Sequence, residues 1–278
     1  MKCWEKMVGL VLAGMMTISL VGCSSTEDSS TGEVVDKLQQ VKEAGVLKVG
    51  TSAEYSPYEF HKVVDGEDKI VGFDDFMVQE IAKDMGVKVE YTDMDFDGLL
   101  GALQADKVDI VLAGMTPNEE RKQSVDFSDI YYTNSNVCIV AEGKEDSIKN
   151  SEDLKNLRVG VQKGTTQADY VTVDLGIEDA TQLKKIPDLM LELQNGKIDV
   201  IVTGKAVAEI NVKNYKNVAV ANTTVGDEVA ETSAAAIKKS DERVDNTAFI
   251  KSVNDTIARL EEEGKIDEYM EEALKLTE

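Results

Sequence analysis

Short apolar runs alternate with amphipathic helical segments along most of the chain. Residues 46–52 (VLKVGTS) and 87–94 (VKVEYTDM) are typical of strands, and residues 72–86 between them carry apolar positions at helical spacing and end on a glycine. Residues 157–166 and 188–204 repeat this order in the second half. Strands that alternate with helices in this way predict an α/β fold in which mostly parallel sheets are flanked by helices.

An internal repeat relates the two halves of the chain. Residues 98–116 align without a gap with residues 188–206, which places Gly114 opposite Gly204. Shared secondary structure alone also produces some matches of this kind. We nevertheless predict two similarly built lobes that face each other across a cleft, because open α/β sheets bind ligands at the carboxyl ends of their strands.

The N-terminus predicts export and lipid anchoring. Two lysines lead into an apolar run over residues 7–20, which is shorter than the about 20 residues of a membrane-spanning helix and is typical of a signal-peptide core. Residues 20–23, LVGC, resemble the lipobox of bacterial lipoproteins, which implies a signal peptide over 1–22 and a fatty acid, such as palmitate, on Cys23. Residues 23–44 then form a tether and lead-in that hold the protein outside the cytoplasmic membrane. The alternative is a plain secretory signal with a chance cysteine.

Composition excludes several functions. The chain has 278 residues, with 53 acidic residues against 30 basic ones and a net charge of -23, so it cannot neutralise phosphates and we expect no nucleic-acid partner. Three cysteines and one histidine form neither a zinc pattern nor a disulfide framework, and we expect no metal and no cofactor. Cys138 lies in the apolar run VCIVA and is expected in the core rather than as a nucleophile.

A candidate anion site follows the apolar strand DIVLA. In GMTPNEER, residues 114–121, Thr116 and Glu119 have the spacing of a capping box, and Pro117 falls at the first helical position. Free N–H groups at a helix start attract anions, and Arg121 can add a bidentate fork that suits a small carboxylate. The alternative is an ordinary cap with Arg121 in a surface ion pair.

The second half contains a similar candidate helix start after its first strand. Gly164 permits a tight turn, and Thr166 with Asp169 has the spacing of a second capped helix start.

Three aromatic residues either fill the core or stack on the apolar stem of a ligand. They are Tyr55, Tyr58 and Phe96.

Four motifs, in this order and spacing, carry a family resemblance. They are GTSAEYSPYEF, VGFD, MDFDGLLGALQADKVDIVLAGMTPNEERKQSVDFSDIYY and LRVGVQKGTTQADY. Over residues 45–275 the chain resembles the polar amino acid binding proteins of ABC importers, a family of extracellular solute-binding proteins. The resemblance implies a two-lobed fold of the type II periplasmic-binding-protein kind, which closes over a small polar amino acid, or a related carboxylate, and delivers it to an ABC permease.

The resemblance also implies the lobe limits and the aromatic walls of the site. Tyr55 and Phe96 would sandwich the ligand side chain, and Tyr58 would line the same wall. The implied limits are 45–131 with 236–278 for lobe one, 137–230 for lobe two, and hinge strands near 131–137 and 231–235.

Polar groups from both lobes would then hold the ligand. Gly114 and Thr116 would contact its α-carboxylate and α-amino group through backbone and hydroxyl groups. Arg121 would bind the carboxylate through two parallel hydrogen bonds, and Thr166 would donate a further one from its backbone amide in lobe two.

One position departs from the family pattern. After the strand DVIVT many relatives have an aspartate that binds the ligand's α-ammonium group, whereas this chain has Gly204 followed by Lys205. A buried ammonium without a counter-charge costs several kcal/mol, so another acid serves or the ligand is not an ordinary α-amino acid. Glu54 is the nearest candidate, and its alternative is a solvated residue on the rim of the cleft.

The sequence is also compatible with two other functions. A few exported dehydratases resemble the same fold, and a catalytic group here would have to be a carboxylate such as Glu54. A lipoprotein that senses its ligand without import is the other alternative. We expect a monomer with no enzymatic activity, whose acidic amphipathic pattern over residues 257–276 packs one face on lobe one.

Overall fold

The computed structural model describes residues 34–226 and 231–278. The predicted signal peptide, Cys23 and the first part of the tether lie outside the described residues. Within the part that is described, no helix has the length and apolar character needed to cross a membrane.

The described residues form short strands, most of them alternating with helices. The strands are β1 (Val35–Asp36), β2 (Val46–Thr51), β3 (Glu54–Tyr55), β4 (Glu59–Val64), β5 (Glu67–Val71), β6 (Lys88–Asp93), β7 (Ile110–Val111), β8 (Val125–Phe127), β9 (Tyr132–Asn134), β10 (Asn136–Ala141), β11 (Val159–Gln162), β12 (Thr181–Leu183), β13 (Val200–Gly204), β14 (Val218–Thr224), β15 (Glu231–Ser233), β16 (Ala236–Lys238) and β17 (Val244–Asp245). The helices are α1 (Lys37–Ala44), α2 (Phe73–Met85), α3 (Leu99–Gln104), α4 (Glu119–Ser124), α5 (Thr166–Asp169), α6 (Ile186–Gln194), α7 (Lys205–Asn214), α8 (Thr247–Glu262) and α9 (Lys265–Leu276).

The first large sheet has the strand order β6-β2-β7-β16-β8. β2 is parallel to β6 and β7, whereas β16 is antiparallel to β7 and β8. Four strands therefore run in one direction and β16 alone opposes them. Apolar residues of α2, α8 and α9, including the fully buried Phe73 and Phe249, belong to one core cluster with residues of β2.

The second large sheet repeats this arrangement, in the order β12-β11-β13-β10-β14. β11 is parallel to β12 and β13, and β10 is antiparallel to β13 and β14. One strand again opposes the other four. The prediction of mostly parallel sheets flanked by helices is confirmed, and the first residues of α2 and α6 lie close to the positions read from periodicity.

A two-stranded ribbon connects the two sheets. β9 pairs antiparallel with β15, with Glu231 opposite Asn134 and Ser233 opposite Tyr132. Through β9 the chain passes from β8 of the first sheet into β10 of the second, and through β15 it returns into β16. The opposing strand of each sheet is therefore the one that follows a crossover.

The helix after β7 begins later than the sequence predicts. α4 starts at Glu119, and the side chain of Asn118 caps it by accepting a hydrogen bond from the backbone N–H of Arg121 at 2.8 Å. The predicted capping box of Thr116 and Glu119 is therefore wrong, and Pro117 precedes the helix. Asn118 takes the cap because its backbone is extended and its side-chain oxygen reaches the third residue of the helix.

The acidic pattern at the C-terminus is divided between two helices. α8 ends at Glu262 and α9 begins at Lys265, with Gly264 at a φ of 68° between them. This left-handed conformation is costly for residues with a Cβ, so the glycine fixes the break. Leu260 and Met270 are buried on the inner faces of the two helices.

Candidate functional site

A cavity lies where the strand ends of the two sheets face each other. Its free volume is about 10 Å³, enough for one water-sized molecule. The lining residues are Tyr55, Phe96, Ala113, Gly114, Thr116 and Arg121 from the first sheet's connections, Gln162, Thr165, Thr166 and Gln167 from the second sheet's, and Glu231 from the ribbon.

Arg121 reaches across this cavity. Its side chain donates from Nη1 to the carbonyl oxygen of Thr116 at 2.6 Å and from Nη2 to the carbonyl oxygen of Gly164 at 2.8 Å. The guanidinium carbon lies 5.4 Å from the ring centroid of Phe96. Burial lowers the pKa of Arg121 to about 10, so the side chain remains charged at neutral pH. The structure places Arg121 inside the cleft, not in a surface ion pair.

Two of the three predicted aromatic residues line the cavity. Tyr55 and Phe96 lie on its wall, whereas Tyr58 is fully buried behind Tyr55. The rings of Tyr55 and Tyr58 stack with centroids 5.6 Å apart and an interplanar angle of 23°. Tyr58 therefore supports the wall and does not form its surface.

Gly114 and Thr116 lie on the wall formed by the turn after β7. The N–H of Gly114 donates to Oδ2 of Asp74 at 2.7 Å, so this amide is held from behind by a buried carboxyl group. A Cβ at Gly114 would lie 3.3 Å from the ring of Tyr55, and its φ of 54° also favours glycine. The hydroxyl of Thr116 accepts a hydrogen bond from the backbone N–H of Thr232 at 3.3 Å.

The opposite wall is the start of α5. Thr165 caps this helix, because its hydroxyl accepts a hydrogen bond from the backbone N–H of Ala168 at 3.1 Å. The sequence prediction of Thr166 as the cap is therefore wrong by one residue. Thr166 is the first helical residue, and its backbone amide belongs to the helix turn whose N–H groups have no partner within the helix.

Sequence analysis missed Glu231. This residue begins β15, is 2% exposed, and accepts a hydrogen bond from the Tyr55 hydroxyl at 2.9 Å through Oε1. Burial raises the pKa of Glu231 to about 7, an effect that the neighbouring tyrosine hydroxyls of Tyr55 and Tyr58 oppose. No motif surrounds this acid in the sequence, and only the unexplained glycine at position 204 indicated that a carboxyl group was needed from elsewhere.

The described residues contain no arrangement of three or more His, Cys, Asp or Glu side chains that could hold a metal ion. Cys138 is fully buried in β10, and burial raises the pKa of its thiol to about 12. The thiol therefore stays protonated within the core.

The profile of the bacterial extracellular solute-binding proteins, family 3, matches residues 47–275. The chain belongs to this family. Among curated relatives, the arginine-binding extracellular protein ArtP of Bacillus subtilis is 34% identical over 270 residues, which are 95% of each chain. The L-cystine-binding protein TcyJ of Escherichia coli K12 is 30% identical over 257 residues, covering 92% of this chain and 91% of the relative.

Solved structures of family 3 relatives share the two-lobed fold. An amino acid ABC transporter substrate-binding protein from Streptococcus pneumoniae bound to L-arginine superposes with a TM-score of 0.80 at 32% identity, covering 86% of this chain and 98% of that one. An ancestral arginine-binding protein bound to arginine superposes with a TM-score of 0.72 at 37% identity, covering 82% and 97%. These family 3 relatives are binding proteins, and the present chain is a solute-binding protein rather than an enzyme.

Glu54 lies outside the cavity of this family 3 protein. Its Oε2 accepts a hydrogen bond from the backbone N–H of Ile186 at 2.9 Å, and its Oε1 accepts one from Nε2 of Gln162 at 2.5 Å. Burial raises the pKa of Glu54 to about 7, and these two hydrogen bonds lower it in part. Both carboxyl oxygens accept hydrogen bonds from groups beside the second sheet, so Glu54 connects the two walls and does not face the cavity.

Proposed function

We propose that the protein captures a polar amino acid between its lobes and delivers it to the permease of an ABC importer. The observation that carries this proposal is the guanidinium of Arg121, which lies in the interlobe cavity and bonds to carbonyl oxygens on both walls. A guanidinium has five N–H donors in a planar fork that matches the two oxygens of a carboxylate. Tyr55, Phe96, Gly114, Thr116 and Thr166 complete the site on the walls around it.

L-Arginine is the first ligand to test. ArtP is named for arginine, and two of the solved relatives hold arginine. The cavity also provides the faces of Tyr55 and Phe96, and a flat cation can stack on an aromatic face. TcyJ is named for L-cystine, which makes cystine the next ligand to test.

Capture requires the cleft to open and close. The present free volume of about 10 Å³ is too small for an amino acid, so the ligand enters only after the two walls separate. Ion pairs join the walls, between Lys163 and Asp97 at 2.7 Å and between Lys184 and Asp95 at 2.5 Å. A ligand that contacts both walls adds to these contacts and shifts the population toward the closed form.

We propose that the β9–β15 ribbon is the hinge between the two lobes. Lobe one comprises 45–131 with 236–278, and lobe two comprises 137–230. Every strand of the first sheet lies within lobe one, and the strands of the second sheet lie between residues 136 and 224. A single chain supplies both walls of the cavity, which supports function as a monomer.

The family supports a location outside the cytoplasm. We propose that a lipid on Cys23 anchors the protein to the membrane there, beside its permease. Uptake of labelled arginine into cells that lack the gene should be restored by the wild-type chain. Binding in solution without restored uptake would favour a sensor over an importer.

Calorimetric titration of the purified protein with a panel of amino acids tests the ligand class. About ten ligand atoms at roughly 1 kcal/mol each correspond to a dissociation constant of about micromolar or lower. We expect L-arginine to bind in this range and uncharged polar amino acids to bind at least about tenfold more weakly. An equal or absent response across the panel would contradict the proposal.

Removing the Glu54 contact should weaken ligand binding, although Glu54 itself does not line the cavity. Glu54→Ala removes the acceptor for Ile186 N–H and Gln162 Nε2, both on the opposite wall, so the closed form loses stability relative to the open form. We expect about a tenfold loss of affinity by calorimetry, equivalent to about 1.4 kcal/mol. Glu67→Ala is the matched control, because this acid is exposed on β5. Unchanged affinity in Glu54→Ala would show that the contact does not contribute to closure.

A further inference from the structure

The cavity contains one acidic side chain that the anion-binding role of Arg121 does not explain. Glu231 lines the cavity and is 2% exposed, although it lies on the crossover ribbon and not at a strand end of either large sheet. Its Oε1 accepts the hydroxyl of Tyr55. Among residues 34–226 and 231–278, no hydrogen bond of normal geometry reaches the buried Oε2, although the hydroxyl of Tyr58 is close enough to lower the pKa of Glu231.

An unpartnered buried carboxyl oxygen is costly, because burial removes its bonds to water. The cost is recovered when a donor enters the cavity and bonds to it. Arg121 and Glu231 thus bring a guanidinium and a carboxyl group to one small space, and an ammonium group bound beside Glu231 would favour the ionised form of this carboxyl group. A zwitterion complements this pair, since its carboxylate matches the guanidinium and its ammonium group matches the carboxylate.

Gly204 provides the space that Glu231 occupies. β13 ends at Gly204, and a Cβ built on this glycine would overlap both carboxyl oxygens and Cδ of Glu231. A side chain at position 204 and the carboxylate of Glu231 therefore exclude each other. The same geometry means that a short acid placed at position 204 would direct its own carboxyl group into the volume that Glu231 now fills.

We propose that Glu231 binds the α-ammonium group of the ligand, and that Gly204 is the residue that admits its carboxylate. This inference rests on the proposed function, amino acid capture. It assigns ammonium recognition to the ribbon between the lobes, next to the hydroxyl of Tyr55 from lobe one. Glu231 therefore both belongs to the crossover ribbon and selects the ligand.

The test compares two ligands that differ only in the α-amino group. Wild-type protein and Glu231→Gln are titrated with L-arginine and with 5-guanidinopentanoic acid, which has the same carboxylate and guanidinium but no α-amino group. We expect Glu231→Gln to lose at least about thirtyfold in affinity for L-arginine, since truncation of one partner of a buried charge pair has effects of this size. Its affinity for 5-guanidinopentanoic acid should change by less than about threefold, which also shows that the variant is folded.

A double variant that moves the acidic side chain from position 231 to position 204 tests the proposal independently. Gly204→Asp combined with Glu231→Ala should recover at least about tenfold in affinity for L-arginine relative to Glu231→Ala alone, because the new carboxyl group enters the vacated volume. Glu67→Gln, an exposed acid, should behave as wild type.

The outcomes separate the two proposals. If the wild-type protein binds L-arginine and Glu231→Gln binds it equally well, the ammonium assignment is overturned and amino acid capture stands. A wild-type protein that binds 5-guanidinopentanoic acid as tightly as L-arginine also overturns the assignment. If the wild-type protein binds no amino acid of the panel, the proposed function fails, and this inference fails with it.

Discussion

Arg121→Ala is expected to lose more than a hundredfold in ligand affinity. The guanidinium is the cationic side chain on the cavity wall among the described residues, and it also joins the two walls through the carbonyl oxygens of Thr116 and Gly164. Removing one partner of a buried, hydrogen-bonded charge pair costs about 2 to 5 kcal/mol, and the loss of the wall-to-wall bond adds to this. Isothermal titration with L-arginine measures the change.

Arg121→Lys separates charge from geometry. Lysine keeps the positive charge but presents one ammonium group in place of the planar fork, so it cannot bond a carboxylate and both carbonyl oxygens in the same arrangement. We expect an affinity between those of the wild type and Arg121→Ala. Arg158→Ala is the matched control, because Arg158 is exposed and pairs with Asp199 away from the cavity. If Arg121→Ala binds like the control, the guanidinium does not hold the ligand.

Much of the fold could be predicted from the order of elements. The boundaries of α2 follow from apolar positions at helical spacing and from Gly86, which ends the helix in the left-handed conformation. The repeat between residues 98–116 and 188–206 predicted two similar lobes, and the two sheets do share one strand order. Local pattern is sufficient here because each βαβ unit forms from residues close together in the chain.

Helix starts were predicted less well than helix interiors. At α4 and α5 several residues that can serve as caps are adjacent, and spacing alone chose Thr116 and Thr166. The structure uses Asn118 and Thr165, because the extended backbone at these positions aims the side-chain oxygen at the third residue of the helix. Which residue caps the helix depends on the backbone conformation that leads into it, and this conformation cannot be predicted from hydrophobic periodicity.

The acid of the site could not be predicted from a local pattern. Glu231 and Gly204 lie on different strands, and Tyr55 lies in the other half of the chain. Their proximity depends on the return crossover, which brings β15 beside the ends of β7 and β13. Sequence reasoning identified the absence of an acid at position 204 but chose Glu54 because it is adjacent to Tyr55 in the chain. The structure instead directs Glu54 to the opposite wall.

The stability of the folded protein should fall as pH rises from about 5 to 8, and Glu59 should be a main cause. Glu59 is 1% exposed at the start of β4, beside the equally buried Asp74. Burial, and after it the negative charges of Asp74 and Glu54, raise the pKa of Glu59 well above its ordinary value. Burial also raises the pKa of Asp74 to about 6, although the Gly114 N–H and the Tyr131 hydroxyl oppose this.

The sign of the effect follows from proton binding. Above the ordinary glutamate pKa of about 4.3 the unfolded chain has lost this proton, while the folded chain retains it. Folding therefore takes up a proton, and the free energy of unfolding falls with rising pH by at most about 1.4 kcal/mol per pH unit for this group. The contribution is fully present below the unfolded pKa and is lost progressively above it, until pH reaches the folded pKa.

Glu59→Gln isolates this contribution, because glutamine has the shape of protonated glutamate and does not titrate. We expect the variant to be most similar to the wild type below about pH 4, where Glu59 is protonated in both the folded and the unfolded chain, to show a shallower decline from there up to pH 8, and to be the more stable protein at pH 8. Urea unfolding at half-unit pH intervals measures both slopes, with Glu67→Gln as an exposed control. Residual slope up to about pH 7 should persist in the variant, because Glu54 and Glu231 also have pKa values raised to about 7 by burial. Parallel curves for Glu59→Gln and the wild type would contradict the prediction. They would mean that Glu59 is ionised in the folded protein, so that the buried pair of Glu59 and Asp74 has a negative charge on Glu59.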